Sequence, residues 1–383
     1  MNVWSEHQGP ESTKPFSPSG TRLHHFPNGG TFAFTVVDDT DFSTVENVGS
    51  VYDFLLDQDI LTCKTVWPLS GPGKPERHGT SLEEPRYRRF AQGLQRRGVE
   101  LALHNVQHGS AHRARTMQGL AAFAEHFGCM PRVHCNHETS HENLYWGTHR
   151  FRNGIRRYIY AATTLLERTA RESTGQVDGS EYFWGDLCQQ HISYVRNFVF
   201  REINLDRINP SMPYHETSKP WVNAWFSASD GEDVVRFCRL ISEENQDRLE
   251  AEGGVCVVYT HFAYGFFDRG QIHPQFERLV RRLRAKKGWF VPVSLLMDHL
   301  RTEHQSVHIS DAEVAAMERR WLADRIRQKI SEATRVNAHP WDRFRKIGND
   351  AGFSPEHPAS VPIVQPVARA FSPVKDGLPE PED

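Results

Sequence analysis

The chain has no Cys-x-x-Cys, no apolar run long enough to cross a bilayer, no excess of one charge and no internal repeat. Its six cysteines, Cys63, Cys129, Cys135, Cys188, Cys238 and Cys256, are scattered, and several fall inside apolar segments. They read as buried free thiols of a reducing compartment, with one isolated disulfide left open. The longest apolar runs are strand-sized, well short of the ~20 residues a spanning helix requires, so no membrane partner is expected. With 45 Lys+Arg against 48 Asp+Glu and a net charge of −3, there is no basic field to hold nucleic acid or anionic lipid. No basic stretch followed by an apolar one opens the sequence, so no secretory signal is read and the expected location is cytoplasmic.

What the chain does have is histidine, 21 in 383 residues, and strand-like segments that end in metal-ligating residues. Gly98 to His108 reads as a short buried strand in which Leu101 and Leu103 alternate with smaller or polar neighbours. His104 and His108 then stand four apart, and a helical turn would put both imidazoles on one face. Two such imidazoles can grip one ion. Catalytic zinc commonly takes three protein ligands and leaves a fourth position for water, so a third, acidic ligand is needed. Asp38-Asp39 supplies it, at the end of the alternating segment Thr31 to Val37.

The same rhythm runs along the chain. Ser43-Thr44-Val45-Glu46 offers a capping box for a helix through Leu56, Ile60 to Pro68 is a strand, and Pro85 to Arg97 is a basic amphipathic helix. Gln118 to Phe127 is a helix closed by Gly128, and Pro131 to His137 is a strand. Alternating strands and helices with short connections predict an α/β chain, a (β/α) barrel of parallel strands. Reactive residues then gather at the C-terminal strand ends, where Asp38, Asp39, His104, His108 and His137 all fall. Residues 141–220 have no clean period and read as an irregular insertion. Trp221 to Ser229 alternates again, Asp230 begins a helix to about Ala251, and Val255 to Thr260 is a nearly continuous apolar strand that ends at His261. The expected organisation is an N-terminal extension over 1–28, a barrel over 29–305, a helix over 306–336 packed loosely outside it, and a Pro-rich, disordered or clamping tail over 337–383.

An apolar strand ending in Asp-Asp, then His-x-x-x-His, then a strand ending in a lone histidine resembles the NodB-type polysaccharide deacetylases, carbohydrate esterase family 4, over about residues 29–305 with gaps. The resemblance implies the distorted seven-stranded barrel of that family. It also implies a divalent metal, Zn²⁺ first, on Asp39, His104 and His108. Asp38 would be general base, and His261 would protonate the departing amine. Arg132 would orient the base, His137 would meet substrate and Trp225 would wall the pocket. Departures are visible: Thr40 stands where the family has glycine, and Asp41 competes for the base, its other reading being a helix cap. His137 and His141, again four apart, leave a second ligand set open. The expected activity is N-deacetylation of an amino sugar or glycan precursor. The alternatives are a small-molecule amidase of the same superfamily and a barrel that binds carbohydrate without catalysis.

Overall fold

Seven parallel strands close a barrel: β1 Phe32–Asp38, β2 Cys63–Val66, β3 Glu100–Leu103, β4 Val133–His134, β5 Tyr194–Phe200, β6 Trp225–Asp230 and β7 Val255–Thr260. They pair in that order, and β7 returns to β1 over Ala33 to Asp38. Two short strands, β8 Phe267–Asp268 and β9 Gln271–Ile272, form a separate antiparallel pair. A further strand, β10 Gly288–Phe290, runs beside the first half of β1. The structure, a computed structural model, describes residues 24–73, 78–138, 140–164, 173–303 and 309–334. The expected tail over 337–383 and all but the end of the 1–28 extension lie outside the described residues.

Every residue of β1 is buried, because one face fills the barrel and the other lies under helices. The helices are α1 Val45–Asp57, α2 Pro85–Arg96, α3 Arg113–Phe127, α4 Gly154–Thr164, α5 Gly185–His191, α6 Val234–Leu240, α7 Glu243–Glu252, α8 Pro274–Arg284, α9 Val293–Glu303 and α10 Asp311–Thr334. Phe34, Val36 and Val258 meet Phe54, Phe237, Phe276 and Leu279 in one outer core. At ~25 cal/mol per Å² of apolar surface, such aromatic layers supply the main drive for closing the barrel.

Several boundaries differ from expectation, each for a local reason. Helix α1 is capped by Thr44, whose hydroxyl accepts from the Asn47 amide while the Asn47 side chain accepts from Thr44 N–H at 2.8 Å. Ser43 is drawn away because its hydroxyl accepts from the Lys64 ammonium at 3.1 Å. The helix expected from Asp230 to Ala251 is two, since Ser242 restarts the chain by capping α7. Strand β5 lies inside the stretch expected to be irregular. Its period is broken by a register shift between Arg196 and Val199 and by polar residues at 196 and 197. Helix α10 packs firmly: Val314, Met317 and Trp321 are buried, and Glu318 bonds the Arg152 amide and the Arg156 guanidinium.

The described end of the N-terminal extension is latched across the base of the barrel. Phe26 stacks on Trp289, and His24 is hydrogen-bonded to Asp206 at 2.9 Å and Glu303 at 2.6 Å. Burial works against protonation of His24, but the two carboxylates outweigh it and push its pKa up to about 9. A histidine raised in the folded state stabilises fully below its unfolded value, ~6.5, and loses that contribution as pH climbs through the folded value. Melting temperature should therefore fall between about pH 6.5 and 9, by the equivalent of up to roughly 3 kcal/mol. In His24→Gln that component should be missing. Parallel melting-versus-pH curves for the two proteins would contradict the latch.

Candidate metal centre

The loops at the C-terminal ends of β1, β3, β4 and β7 bring four acidic and imidazole groups into contact. Asp41 stands at their centre. One of its carboxylate oxygens lies 3.0 Å from His104 Nε2 and 3.3 Å from His261 Nε2. The other lies 3.0 Å from His137 Nε2. Asp41, His104 and His137 place one donor atom each within 4.8 Å of one another, as do Asp39, Asp41 and His261.

The proton positions show what this cluster is built for. His104 Nδ1 faces the Cys135 carbonyl at 2.9 Å. A carbonyl can only accept, so Nδ1 carries a hydrogen, and Nε2 points at Asp41, either donating to it or, with a cation between them, presenting a lone pair. His137 Nδ1 lies 3.3 Å from the Ser140 hydroxyl, which itself donates to the Gly109 carbonyl. Its Nδ1 therefore donates as well, and its Nε2 faces Asp41 in the same way. Two imidazole nitrogens facing one buried carboxylate need either a proton on each or a shared cation between them and it. Outward ring N–H groups tied to oxygen acceptors are the usual setting of metal-ligating histidines. The donor set, one carboxylate and two imidazoles, fits a divalent transition ion of the zinc type. Burial works against ionisation of Asp41, yet His137 and His104 hold its carboxyl well below the usual range.

The expected site residues divide sharply. Asp38 is sealed off: its carboxylate accepts from the Tyr52 hydroxyl at 2.8 Å and the Phe262 amide at 2.8 Å, and pairs with the Lys64 ammonium at 2.8 Å. It holds the strand ends together and does not face the cluster. Asp39, expected as a ligand, is gripped through both oxygens by Arg196 at 2.9 and 2.5 Å. Burial raises its pKa, and the Arg196 and His104 charges more than reverse that. Adjacent residues at a strand end point to opposite sides, so Asp41, two positions beyond Asp39, takes the central place.

His104 and His108 do not share a helical turn, because Asn105 adopts φ +52° and the chain runs on as a loop. His104 enters the cluster and His108 does not; it stacks on His78 with ring centroids 4.2 Å apart and 11° between planes. Burial first, then His137 and His78, pull the His108 pKa down to about 4. His137 joins the cluster, where substrate contact had been expected, and His261 stands beside it, stacked on Tyr264. Arg132 precedes β4 at the opposite end of the barrel and pairs with Asp298 at 2.8 Å. Trp225 opens β6, also at that end, and packs on Tyr145 and the Lys219 ammonium. Neither reaches the cluster. The arginine buried against Asp39 is Arg196, which sequence reasoning missed along with its strand; a lone arginine in an aromatic run, Tyr194-Val-Arg-Asn-Phe-Val-Phe200, was its one signal.

No family model matches the chain, and no curated protein matches it. Solved structures do. A protein assigned as a polysaccharide deacetylase from Pseudomonas aeruginosa is 10% identical, with a TM-score of 0.45 over 75% of this chain and 97% of that one. The allantoinase PuuE is 11% identical, with a TM-score of 0.43 over 77% and 99%. The catalytic domain of a peptidoglycan N-acetylglucosamine deacetylase from Eubacterium rectale is 11% identical, with a TM-score of 0.34 over 77% and 99%.

Two arginines should behave differently on removal. Arg132 and Asp298 are both about two-fifths exposed, so Arg132→Ala should cost at most ~1 kcal/mol. Arg196→Met leaves the Asp39 charge buried and unpaired and should cost about 3–5 kcal/mol. Urea unfolding of both variants tests this, and equal midpoints would show that the buried pair does not hold the site together.

Proposed function

We propose that the chain is a remote member of the NodB-type deacetylase superfamily and a metal-dependent hydrolase of carbon–nitrogen amide bonds. The observation that carries this reading is Asp41 with two imidazole Nε2 atoms turned on it at the C-terminal rim of the barrel. Asp41, His104 and His137 are the proposed ligands. A divalent ion there, zinc in the first instance, supplies Lewis acidity toward an amide carbonyl and a water molecule.

The remaining groups divide the proton work. Arg196 keeps Asp39 ionised and fixes both its oxygens, so the carboxylate is available to take a proton from an attacking water. His261, with Nδ1 against the Glu232 carbonyl at 3.4 Å, turns Nε2 into the cluster. Burial opposes its protonation and the neighbouring Asp41 outweighs that, which suits a group that gives a proton to a leaving amine. Asp38 and Lys64 position the ends of β1 and β7 beneath them. The proposed substrate is an N-acetylated amino sugar or glycan precursor, with a small cyclic amide as the rival.

Elemental analysis of protein purified without chelator should find about one equivalent of a transition ion in the wild type. Asp41→Ala and His104→Ala should lose it, and Asp38→Asn should keep it. Metal retained by Asp41→Ala but lost from Asp39→Asn would return the ligand role to the adjacent-aspartate pattern. No metal in the wild type after zinc is offered would sink the hydrolase reading. With metal bound, release of acetate from N-acetylated sugars should fall at least 100-fold in His261→Ala, in line with the loss of a general acid.

A further inference from the structure

On the outer side of β6 a cleft of about 320 Å³ opens between the segment leaving β5 and helices α6 and α7. Four arginines line it: Arg201 just after β5, Arg236 and Arg239 three apart on α6, and Arg248 on α7. Residues three apart on a helix share a face, so Arg236 and Arg239 enter together. The lining residues Ile203 and Leu240 belong to the outer core with Val258 and Phe237, which puts the barrel wall between this cleft and the candidate metal centre.

The four guanidinium groups are not equally occupied. Arg248 donates to Glu202 at 2.6 Å. Arg236 is bound by Glu232 and Asp233, the two residues just before its helix. The one acid near Arg201 is Asp230, which lies 3.6 Å from Arg201 Nε and 3.6 Å from Arg236 Nη1. Charge-assisted N–H···O contacts run ~2.7–2.9 Å, so Asp230 stands between the two arginines without accepting a hydrogen bond from either. Arg239 is exposed and has no acidic partner among the described residues. The Arg201 side chain is 44% exposed. Two forks of N–H donors are therefore unspent at one cleft, and the neighbouring acids hold the other two arginines in its walls.

The sign of its charge sets this cleft apart. A larger one, about 510 Å³ between α1 and α8, is lined by Asp53, Asp57 and Glu277 with Arg281 as its cation. Arg281 is already hydrogen-bonded to Glu277 at 2.8 Å, so that cleft repels anions. In the arginine cleft the free groups are cationic. A guanidinium offers parallel N–H groups in one plane and takes carboxylate or phosphate oxygens two at a time. One carboxylate fills one fork. A phosphomonoester, with three terminal oxygens, can meet both. Ligand sites typically span ~300–1,000 Å³, and the cleft falls at the small end of that range, with room for more than a bare phosphate.

We propose that this cleft binds the phosphate of a small phosphomonoester through Arg201 and Arg239, at a site separate from the metal-binding cluster. Arg236 and Arg248 fix its walls. The inference does not rest on the hydrolase reading.

The test is calorimetric titration of the full chain with glycerol 3-phosphate, inorganic phosphate and glycerol at low salt. Arg201→Gln and Arg239→Gln each remove one exposed fork. Arg132→Gln removes the same charge at the other end of the barrel, and Asp41→Ala removes the central acid of the metal centre. The wild type should bind glycerol 3-phosphate with a Kd of about 1 mM or below, inorganic phosphate more weakly and glycerol not at all. Binding of the ester should weaken about tenfold in each cleft variant, as loss of a charged hydrogen-bond donor predicts, and stay unchanged in Arg132→Gln and Asp41→Ala. No saturable binding by the wild type would overturn the proposal. So would an equal loss in Arg132→Gln, which would reduce the effect to net charge. Binding lost from Asp41→Ala but kept by both cleft variants would move the phosphate to the metal centre. Inorganic phosphate bound as tightly as the ester would overturn the assignment to an ester.

Discussion

A carboxylate and a guanidinium, both buried, meet across the mouth of the barrel, and the arrangement of the whole rim follows from that contact. Asp39 and Arg196 are 157 residues apart and joined by two hydrogen bonds. Two charges removed from water at this depth are tolerated only with this bidentate geometry. Once Asp39 is turned toward β5, Asp38 must face the opposite way, into Tyr52 and Lys64. Asp41 is then the acid left to meet the histidines. One ion pair thus sorts three acids into three duties.

The strand ends around it are equally committed. Asp38 ties the Phe262 amide, and with it the turn that presents His261, to the end of β1. Lys64 joins that network from β2 and reaches on to Ser43 at the start of the first helix segment. The candidate metal-binding cluster therefore stands on a layer of hydrogen bonds that fixes the positions of its side chains.

Much of the fold was readable along the chain. Continuous apolar segments such as Val255 to Thr260 and helical periods such as Pro85 to Arg97 carry their structure locally, and the barrel followed from their alternation. The meeting of acidic and imidazole groups at the C-terminal rim was readable for the same reason. Which acid and which histidines meet there was not. That depends on Asn105 turning left-handed after β3, and on an arginine in an aperiodic strand whose sole justification is a carboxylate from another strand. Spacing reports neighbours on one element. It is silent about partners across a barrel, which is why Arg132, next to a strand that was recognised, stood in for Arg196, inside one that was not. Trp225 failed likewise: it lies on a real strand, at the wrong end.

The contact between Asp38 and the Phe262 amide spans 224 residues, and β1 makes its longest pairing with β7. Closing so large a loop costs entropy that local contacts cannot repay early. During synthesis β1 leaves the ribosome first and waits, its edge unpaired and its aspartates without their cations, while five further strands and their helices are made. Lys64 and then Arg196 arrive to neutralise Asp38 and Asp39 in turn, and the last strand shuts the ring. A nascent chain halted before Phe262 would carry nearly every group of the centre and hold none of them in place.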